Sequence, residues 1–162
     1  MTNLEIKARE FATEAHKEQY RKDRTTPYIT HPAAVANLLK EVPIYDENII
    51  AAAWLHDVIE DCGISSERLR KEFNSEVERI VSTLTRNCSR EEYKKRIKDA
   101  DYAVQIVKIA DVVHNCSTLD ESLQEKTIRN KVNDCKALYF DLADKVHPPF
   151  RVKLMNSLSK YI

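Results

Sequence analysis

A single glycine, Gly63, in a chain of 162 residues is the feature that most restricts the fold. Domains rich in β-sheet use glycine at tight hairpin turns and bulges, where the backbone needs a positive φ angle. A chain with one glycine has almost no residues to spare for such positions. We therefore predict an all-α fold, folded as a single compact helical domain over residues 1–162.

Capping residues and apolar spacing predict where the helices begin and end. The segment EQYRKDRTTPYIT is polar, contains a proline and is predicted to be a loop. Gly63 is predicted to end the third helix. Helix starts are predicted at the Thr2–Glu5 capping box, Pro32, Asp46, Ser65 or Ser66, Ser75 and the Ser89–Glu92 capping box, whose helix has a possible break near Asp99. A last long helical stretch is predicted from about Leu123 to Val146; Pro148 and Pro149 end it, and a short terminal helix can follow.

Composition narrows the class of protein. The formal net charge is zero, which gives no overall reason to expect binding to nucleic acid or to a membrane. The chain has no apolar run near the roughly 18 residues of a transmembrane span, and its charged N-terminus does not resemble a signal peptide. The four cysteines show no CxxC spacing and are predicted to be free thiols. We expect a cytoplasmic protein.

The third predicted helix carries an unusual apolar stripe, which ends in the sequence WLHDVIEDC. At helical spacing, His56 and Glu60 continue the face of Ile49 and Ala53, and Asp57 and Asp61 continue the neighbouring stripe. Carboxylates without partners are costly to bury, so a cation is expected to meet them. A metal ion is the simplest candidate.

Two other segments place polar groups on apolar faces. Asp111 lies within the apolar stripe of VQIVKIADVVHN, and His31 stands directly before Pro32 at a predicted helix start. Together with His56 and Asp57 they would form a site of two histidines and two carboxylates, which suits Mn, Fe, Co or Zn. Taken singly, each has a plainer explanation, such as a hydrogen-bonded core histidine or an ion pair between Asp111 and Lys108.

The order His, His-Asp, Asp resembles the HD superfamily of metal-dependent phosphohydrolases. The resemblance is closer to one branch, the hydrolase domain of RelA/SpoT homologues and the small alarmone hydrolases. Three segments carry it: AHKEQYRKDRTTPYITHPAAVA, AAAWLHDVIEDCGIS and VKIADVVHNCSTL. The resemblance extends over about residues 8 to 120, and it implies a single HD hydrolase domain over residues 1–162.

The resemblance also implies roles for the matching residues. His31, His56, Asp57 and Asp111 would hold a divalent metal, usually Mn²⁺ in this branch. Glu60 and Asp61 match the catalytic acid pair, which could orient or deprotonate a water whose pKa the ion has lowered. Residues matching the nucleotide-binding positions are Arg21, Lys22, Tyr28, Asn115 and Thr118, with a solvated loop or core packing as the plainer explanation for the first three.

The implied activity is removal of the 3′-diphosphate of ppGpp or pppGpp as pyrophosphate, leaving GDP or GTP. Val112, Ser117 and Glu18 depart from the branch pattern; the first two replace basic residues, which puts the preferred nucleotide in question. Two alternatives stay open: an HD phosphohydrolase for another nucleotide, and a non-catalytic nucleotide-binding or antitoxin-like protein. A synthetase domain is not expected in a chain of this length. A toxic synthetase could be a functional partner, and the helical faces leave room for a homodimer.

Overall fold

The computed structural model describes residues 1–120 and 122–162, and these residues form an all-α fold, as predicted. Within those ranges the only extended pairing is an isolated bridge between Tyr20 and Pro27 in the loop after α1. None of the helices in the described ranges combines the length and apolar character needed to cross a membrane. The helices are α1 Asn3–Ala15, α2 Thr30–Leu39, α3 Glu47–Leu55, α4 Val58–Cys62, α5 Ser66–Glu72, α6 Ser75–Leu84, α7 Arg90–Asp99, α8 Tyr102–Ser117, α9 Glu125–Asp134, α10 Phe140–Val146 and α11 Pro148–Leu158, with a π-helical turn Cys135–Tyr139 between α9 and α10.

Helix α8 lies at the centre of the fold. It packs against α2, α3 and α6 on one side and against α10 and α11 on the other. Its apolar residues Val104, Ile106, Val107, Ile109 and Ala110 are fully buried, so the helix is fixed by burial of its apolar surface. A side chain on α8 that faces α2 and α3 is therefore held in a definite position.

Most predicted helix boundaries agree with the structure. Asp46 and Ser65 cap α3 and α5, and the Ser89–Glu92 capping box is complete at the start of α7. Gly63 ends α4 with φ of 65°, a left-handed conformation that favours glycine. The predicted loop between α1 and α2 and the break after Asp99 are also present.

Only one of the two hydrogen bonds of the capping box predicted at Thr2 and Glu5 is formed. The Thr2 hydroxyl accepts a hydrogen bond from the Glu5 amide, as predicted. The Glu5 carboxylate instead turns inward, where it accepts from Trp54 Nε1 at 3.3 Å and pairs with Lys40 at 2.7 Å. Tertiary partners for a buried carboxylate thus outweigh the local cap.

Two other boundaries differ from the prediction. Asn74, not Ser75, caps α6, because its side chain reaches the amide of Val77. The long stretch predicted from about Leu123 begins at Glu125 and contains the π-helical turn. As predicted, that stretch ends at Val146 and a terminal helix, α11, follows; Pro148 and Pro149 occupy its first turn, where missing amide hydrogens cost nothing.

The predicted third helix is two helices. α3 ends at Leu55 and α4 begins at Val58, so His56 and Asp57 form the junction between them. The backbone of Asp57, with φ of −103° and ψ of −3°, departs from helical values at this point. The prediction of one continuous helix with two straight stripes was therefore wrong, although the junction still directs both residues inward.

Candidate metal and acid site

Three elements bring buried ligand atoms together at one place. His31 comes from the first turn of α2, His56 from the α3–α4 junction and Asp111 from the middle of α8. Their exposed fractions are 1%, 5% and 8%. One ligand atom from each of the three lies within 4.8 Å of those of the other two. Two imidazoles and a carboxylate at this spacing are compatible with a divalent metal.

The individual distances show how tightly the cluster is built. Nε2 of His31 lies 3.0 Å from Oδ1 of Asp111 and 3.3 Å from Nε2 of His56. Oδ2 of Asp57 lies 3.1 Å from His56 Nε2 and 3.7 Å from His31 Nε2. All four side chains predicted as ligands therefore face one small space, with Asp57 on the side of His56.

The cluster concentrates charge in a buried place. Burial opposes a positive charge on His56, yet the Asp57 and Asp111 carboxylates outweigh burial and raise the His56 pKa. Burial likewise opposes a negative charge on Asp111, but Lys108, His31 and His56 lower its pKa well below the usual range. The Asp111 carboxylate thus stays ionised at neutral pH. A metal binds a neutral imidazole, so a bound divalent cation would take the place of the His56 proton that the same two carboxylates stabilise, and the residues present fit such a cation.

A second layer of side chains orients these donors. Lys108 Nζ donates to Asp111 Oδ2 at 2.9 Å, and Asn115 Nδ2 donates to Asp111 Oδ1 at 2.7 Å. The Tyr28 hydroxyl donates to Asp57 Oδ2 at 2.6 Å. The alternative explanation of Asp111 as a partner of Lys108 therefore holds alongside its place in the cluster, and this ion pair is compatible with metal binding.

His114 lies beside the cluster. Its ring stacks on His31 with centroids 4.9 Å apart, and the two Nδ1 atoms are 2.6 Å apart. Burial and the nearby His31 and Arg21 lower the His114 pKa to about 4, so its ring is neutral at pH 7. A neutral ring can accept the Nδ1 hydrogen of His31 and leave the Nε2 lone pair of His31 facing the cluster.

Glu60 and Asp61 lie on α4 and line the same cavity as the cluster. Both side chains are partly exposed. Partial burial and the neighbouring Asp57 carboxylate raise the pKa of each. Despite the break in the helix, α4 thus places a polar acid pair at the open side of the cluster, where it can exchange protons.

Arg21, Lys22 and Thr118 line a second cleft, next to the first. Arg21 Nη2 donates to Asn115 Oδ1 at 3.1 Å and to Thr118 Oγ1 at 3.4 Å. Partial burial, Lys131 and Arg21 all lower the Lys22 pKa, so an anion next to Lys22 would be favourable. Asn115 lines both clefts and joins them, whereas Tyr28 lines the metal cleft, with its hydroxyl on Asp57.

A third cavity lies behind Asp111, and the sequence patterns did not reveal it. Val112, at a position where a basic residue was expected from the resemblance, is buried on its wall. Five basic residues line the same cavity, so it remains cationic: Lys108 from α8 itself, and Arg86, Arg90, Lys94 and Lys131 from other parts of the chain. Ser117, the second departure from a basic residue, is exposed and donates to the His114 carbonyl.

Comparison with known proteins agrees with this geometry. The HD domain family model matches residues 8–147. The chain is 32% identical over 151 residues to the Xenopus tropicalis protein named guanosine-3′,5′-bis(diphosphate) 3′-pyrophosphohydrolase MESH1, covering 88% of this chain and 82% of that protein. It is 35% identical over 148 residues to a Synechocystis protein named as a probable enzyme of the same activity, covering 84% of this chain but 19% of that longer protein.

The fold also matches a solved structure, described as a metazoan orthologue of SpoT that hydrolyses ppGpp. The TM-score is 0.83, with 24% sequence identity over 99% of this chain and 96% of the other. At that identity the likeness concerns the fold. The family model and the sequence relatives go further: this chain belongs to the HD domain family, in the group of sequences that includes the MESH1 proteins.

Proposed function

We propose that this protein hydrolyses the 3′-diphosphate of ppGpp and pppGpp, releasing pyrophosphate and GDP or GTP. The observation that carries the proposal is one cavity that holds both the His31, His56 and Asp111 cluster and the acid pair Glu60–Asp61. The names of the Xenopus and Synechocystis relatives support the same activity. The protein is then a guanosine-3′,5′-bis(diphosphate) 3′-pyrophosphohydrolase.

The reaction consumes one water. The bond between the ribose 3′ oxygen and the adjacent phosphorus breaks, the water oxygen joins that phosphorus, and the ribose oxygen leaves with a proton. Glu60 and Asp61 are the catalytic pair: one of them takes up a proton from the attacking water as the general base, and this proton then passes to the leaving ribose oxygen. Their raised pKa values suit this role, since a general base works best with a pKa closer to neutral pH.

His31, His56, Asp57 and Asp111 are the metal ligands in this proposal, with Mn²⁺ as the ion. When bound, a divalent ion supplies Lewis acidity and positive charge at the scissile phosphate. Neighbouring side chains fix the orientation of the ligands: Lys108 and Asn115 each donate a hydrogen bond to one oxygen of Asp111. Mixed nitrogen and oxygen donors also accept other first-row ions, so the metal is chosen by geometry and supply.

The neighbouring cleft takes the nucleotide. Arg21 can stack on the base, Lys22 and Thr118 meet phosphate or ribose oxygens, and Tyr28 and Asn115 form the wall towards the metal. Burial lowers the Lys22 pKa most, and Lys131 and Arg21 lower it further; a phosphate would relieve the repulsion between these cations. The cationic cavity behind Asp111 offsets the charge absent at Val112.

In this proposal the chain forms one HD hydrolase domain over residues 1–162. The protein lies in the cytoplasm, and its substrate is a small guanine nucleotide. Its role is degradative: it lowers an alarmone signal or neutralises a toxic synthetase, its functional partner. A homodimer is compatible with this role.

A substrate panel tests the activity against its alternatives. Protein loaded with Mn²⁺ is incubated with ppGpp, pppGpp, dNTPs and nucleoside monophosphates, with and without a chelator. We expect pyrophosphate release from the two alarmones, abolished by the chelator. Preferred turnover of another nucleotide would favour the first alternative, and turnover of no nucleotide with metal bound would favour the non-catalytic one.

A further inference from the structure

Arg21 contacts two side chains that each hydrogen-bond to a carboxylate of the cluster. Its Nη2 donates to Asn115 Oδ1 at 3.1 Å, and its guanidinium lies over the Tyr28 ring, 5.6 Å from the centroid. Asn115 then donates to Asp111 Oδ1 at 2.7 Å, and Tyr28 to Asp57 Oδ2 at 2.6 Å. Two short chains of contacts thus run from one loop residue to both carboxylates.

The chemistry of its neighbours fixes the Asn115 amide. A guanidinium can only donate hydrogen bonds and an ionised carboxylate can only accept them. The amide therefore turns its oxygen to Arg21 and its nitrogen to Asp111. If Arg21 leaves, the oxygen loses this donor, and the orientation that directs an N–H bond to Asp111 is less restrained.

Tyr28 is restrained in a similar way. Its ring contacts both the Arg21 guanidinium and the His16 ring, and the centroids of His16 and Tyr28 are 4.8 Å apart. Because the ring plane sets the direction of the hydroxyl, these contacts aim the hydroxyl at Asp57. The guanidinium over the ring is attracted to the negative face of the ring, which adds to this restraint.

Resting on the function proposed above, we infer that Arg21 couples nucleotide binding to metal binding, with Asn115 and Tyr28 as positioning residues for Asp111 and Asp57. A nucleotide that fixes Arg21 also fixes the amide and the ring, so both carboxylates are held ready for the ion. The metal affinity then rises, and by linkage the metal raises nucleotide affinity by the same factor.

Thr118 provides a matched control for this coupling. Its hydroxyl also accepts from Arg21, at 3.4 Å, but its own hydrogen goes towards the backbone carbonyl of His114 or Asn115. It therefore touches the same guanidinium without continuing to Asp57 or Asp111. Thr118→Val should change nucleotide contacts while it leaves the coupling intact.

Calorimetric titration of metal-free protein with Mn²⁺ tests the coupling, with and without saturating guanosine 5′-monophosphate. A titration without protein gives the direct chelation of Mn²⁺ by the nucleotide, which is subtracted. We expect the nucleotide to increase Mn²⁺ affinity about 5-fold or more in the wild type. Arg21→Met, which keeps a long stem without the guanidinium, should abolish this increase, and Thr118→Val should keep it.

The positioning roles are measured without any nucleotide. Tyr28→Phe and Asn115→Ala should each weaken Mn²⁺ binding by about 10-fold, the usual cost of losing a partner of a metal ligand. Melting temperatures of the metal-free variants report any loss of packing separately. Unchanged Mn²⁺ affinity in both variants would overturn the positioning roles.

The possible failures are distinguishable. If the nucleotide binds but leaves Mn²⁺ affinity unchanged, or if Arg21→Met keeps the full increase, the coupling is wrong and the proposed function stands. If guanosine 5′-monophosphate does not bind to the wild type, the coupling is wrong, and turnover of ppGpp in the substrate panel decides the proposed function separately. The titrations of Tyr28→Phe and Asn115→Ala still decide the positioning roles in that case.

Discussion

His31 Nε2 and Asp111 Oδ1 lie 3.0 Å apart, which joins the first turn of α2 to the middle of α8. Because both side chains are almost fully buried, this contact exists only when the two helices are packed. The cluster is thus a product of the tertiary fold, because His31, His56 and Asp111 come from three separate segments of the chain.

Removal of one donor should abolish metal binding without unfolding the protein. His31→Ala is expected to lower Mn²⁺ affinity by about 100-fold or more, beyond the 10- to 100-fold typical of losing a second-layer partner. Metal content after dialysis against Mn²⁺ measures this loss. His147→Ala is the control, since His147 lies at the start of α11 and contacts Phe150. Equal metal content in the two variants would argue against the site.

The Lys108–Asp111 ion pair makes a prediction about stability. Lys108 Nζ lies 2.9 Å from Asp111 Oδ2 and close to the rings of Tyr93 and Tyr139. Asp111→Leu leaves this ammonium without its carboxylate, and we expect a loss of about 3 kcal/mol or more in the free energy of unfolding. Denaturant titration of the metal-free protein measures the change.

The double variant serves as the internal control. Lys108→Met with Asp111→Leu removes both charges, so no lone charge stays buried and the loss should be smaller than in Asp111→Leu alone. A double variant that loses as much as the sum of the two single variants would mean that the two groups do not stabilise each other.

Glu60 is expected to act in the reaction and not in metal binding. Glu60→Gln should lower kcat for ppGpp by about 100-fold or more, the usual contribution of general base catalysis, with Mn²⁺ content unchanged. Glu67→Gln, an exposed residue on the neighbouring α5, is the matched control and should keep wild-type activity. Wild-type turnover in Glu60→Gln would remove Glu60 from the catalytic role.

Glu78 links stability to pH away from the site. Hydrogen bonds from Ser82 at 2.6 Å and from Arg70 at 2.9 Å lower its pKa below the ordinary 4.5. A carboxylate whose pKa is lowered in the folded state stabilises that state at pH values above its ordinary pKa. This stabilisation is lost as the pH falls through the lowered pKa. Glu78→Gln should therefore be less stable than the wild type at pH 7, by a margin that shrinks below about pH 4.5.

Urea unfolding at a series of pH values measures that margin. The exposed Glu10→Gln on α1 is the control and should follow the wild type throughout. A margin for Glu78→Gln that stays constant from pH 7 to pH 3.5 would show that the Ser82 and Arg70 contacts do not depend on the charge.

The sequence was sufficient for features that depend on local chemistry. The scarcity of glycine predicted the all-α fold, and caps such as Asp46 and Ser65 predicted where helices begin, because a cap acts within one turn. The spacing of His56 and Asp111 on apolar stripes predicted that both face the interior.

Features that depend on tertiary packing were harder to predict from the sequence. Glu5 has the spacing of a capping box, and only the fold brings Trp54 and Lys40 to its carboxylate. The sequence around the helix break at His56 and Asp57 contains no glycine or proline that would predict it. The Tyr28 hydroxyl bond to Asp57 and the cationic cavity behind Asp111 join segments far apart in the chain, so no periodic pattern could reveal them.

The most direct test of the account is to identify the products formed from ppGpp by phosphorus NMR. With Mn²⁺-loaded wild-type protein, we predict equal amounts of GDP and intact pyrophosphate, and no product with Glu60→Gln. This result would place the cleavage at the 3′ oxygen, next to the cavity formed by His31, His56, Asp111 and Glu60. Release of single phosphates, loss of the 5′ phosphates, or unchanged ppGpp with the metal bound would contradict the proposed function.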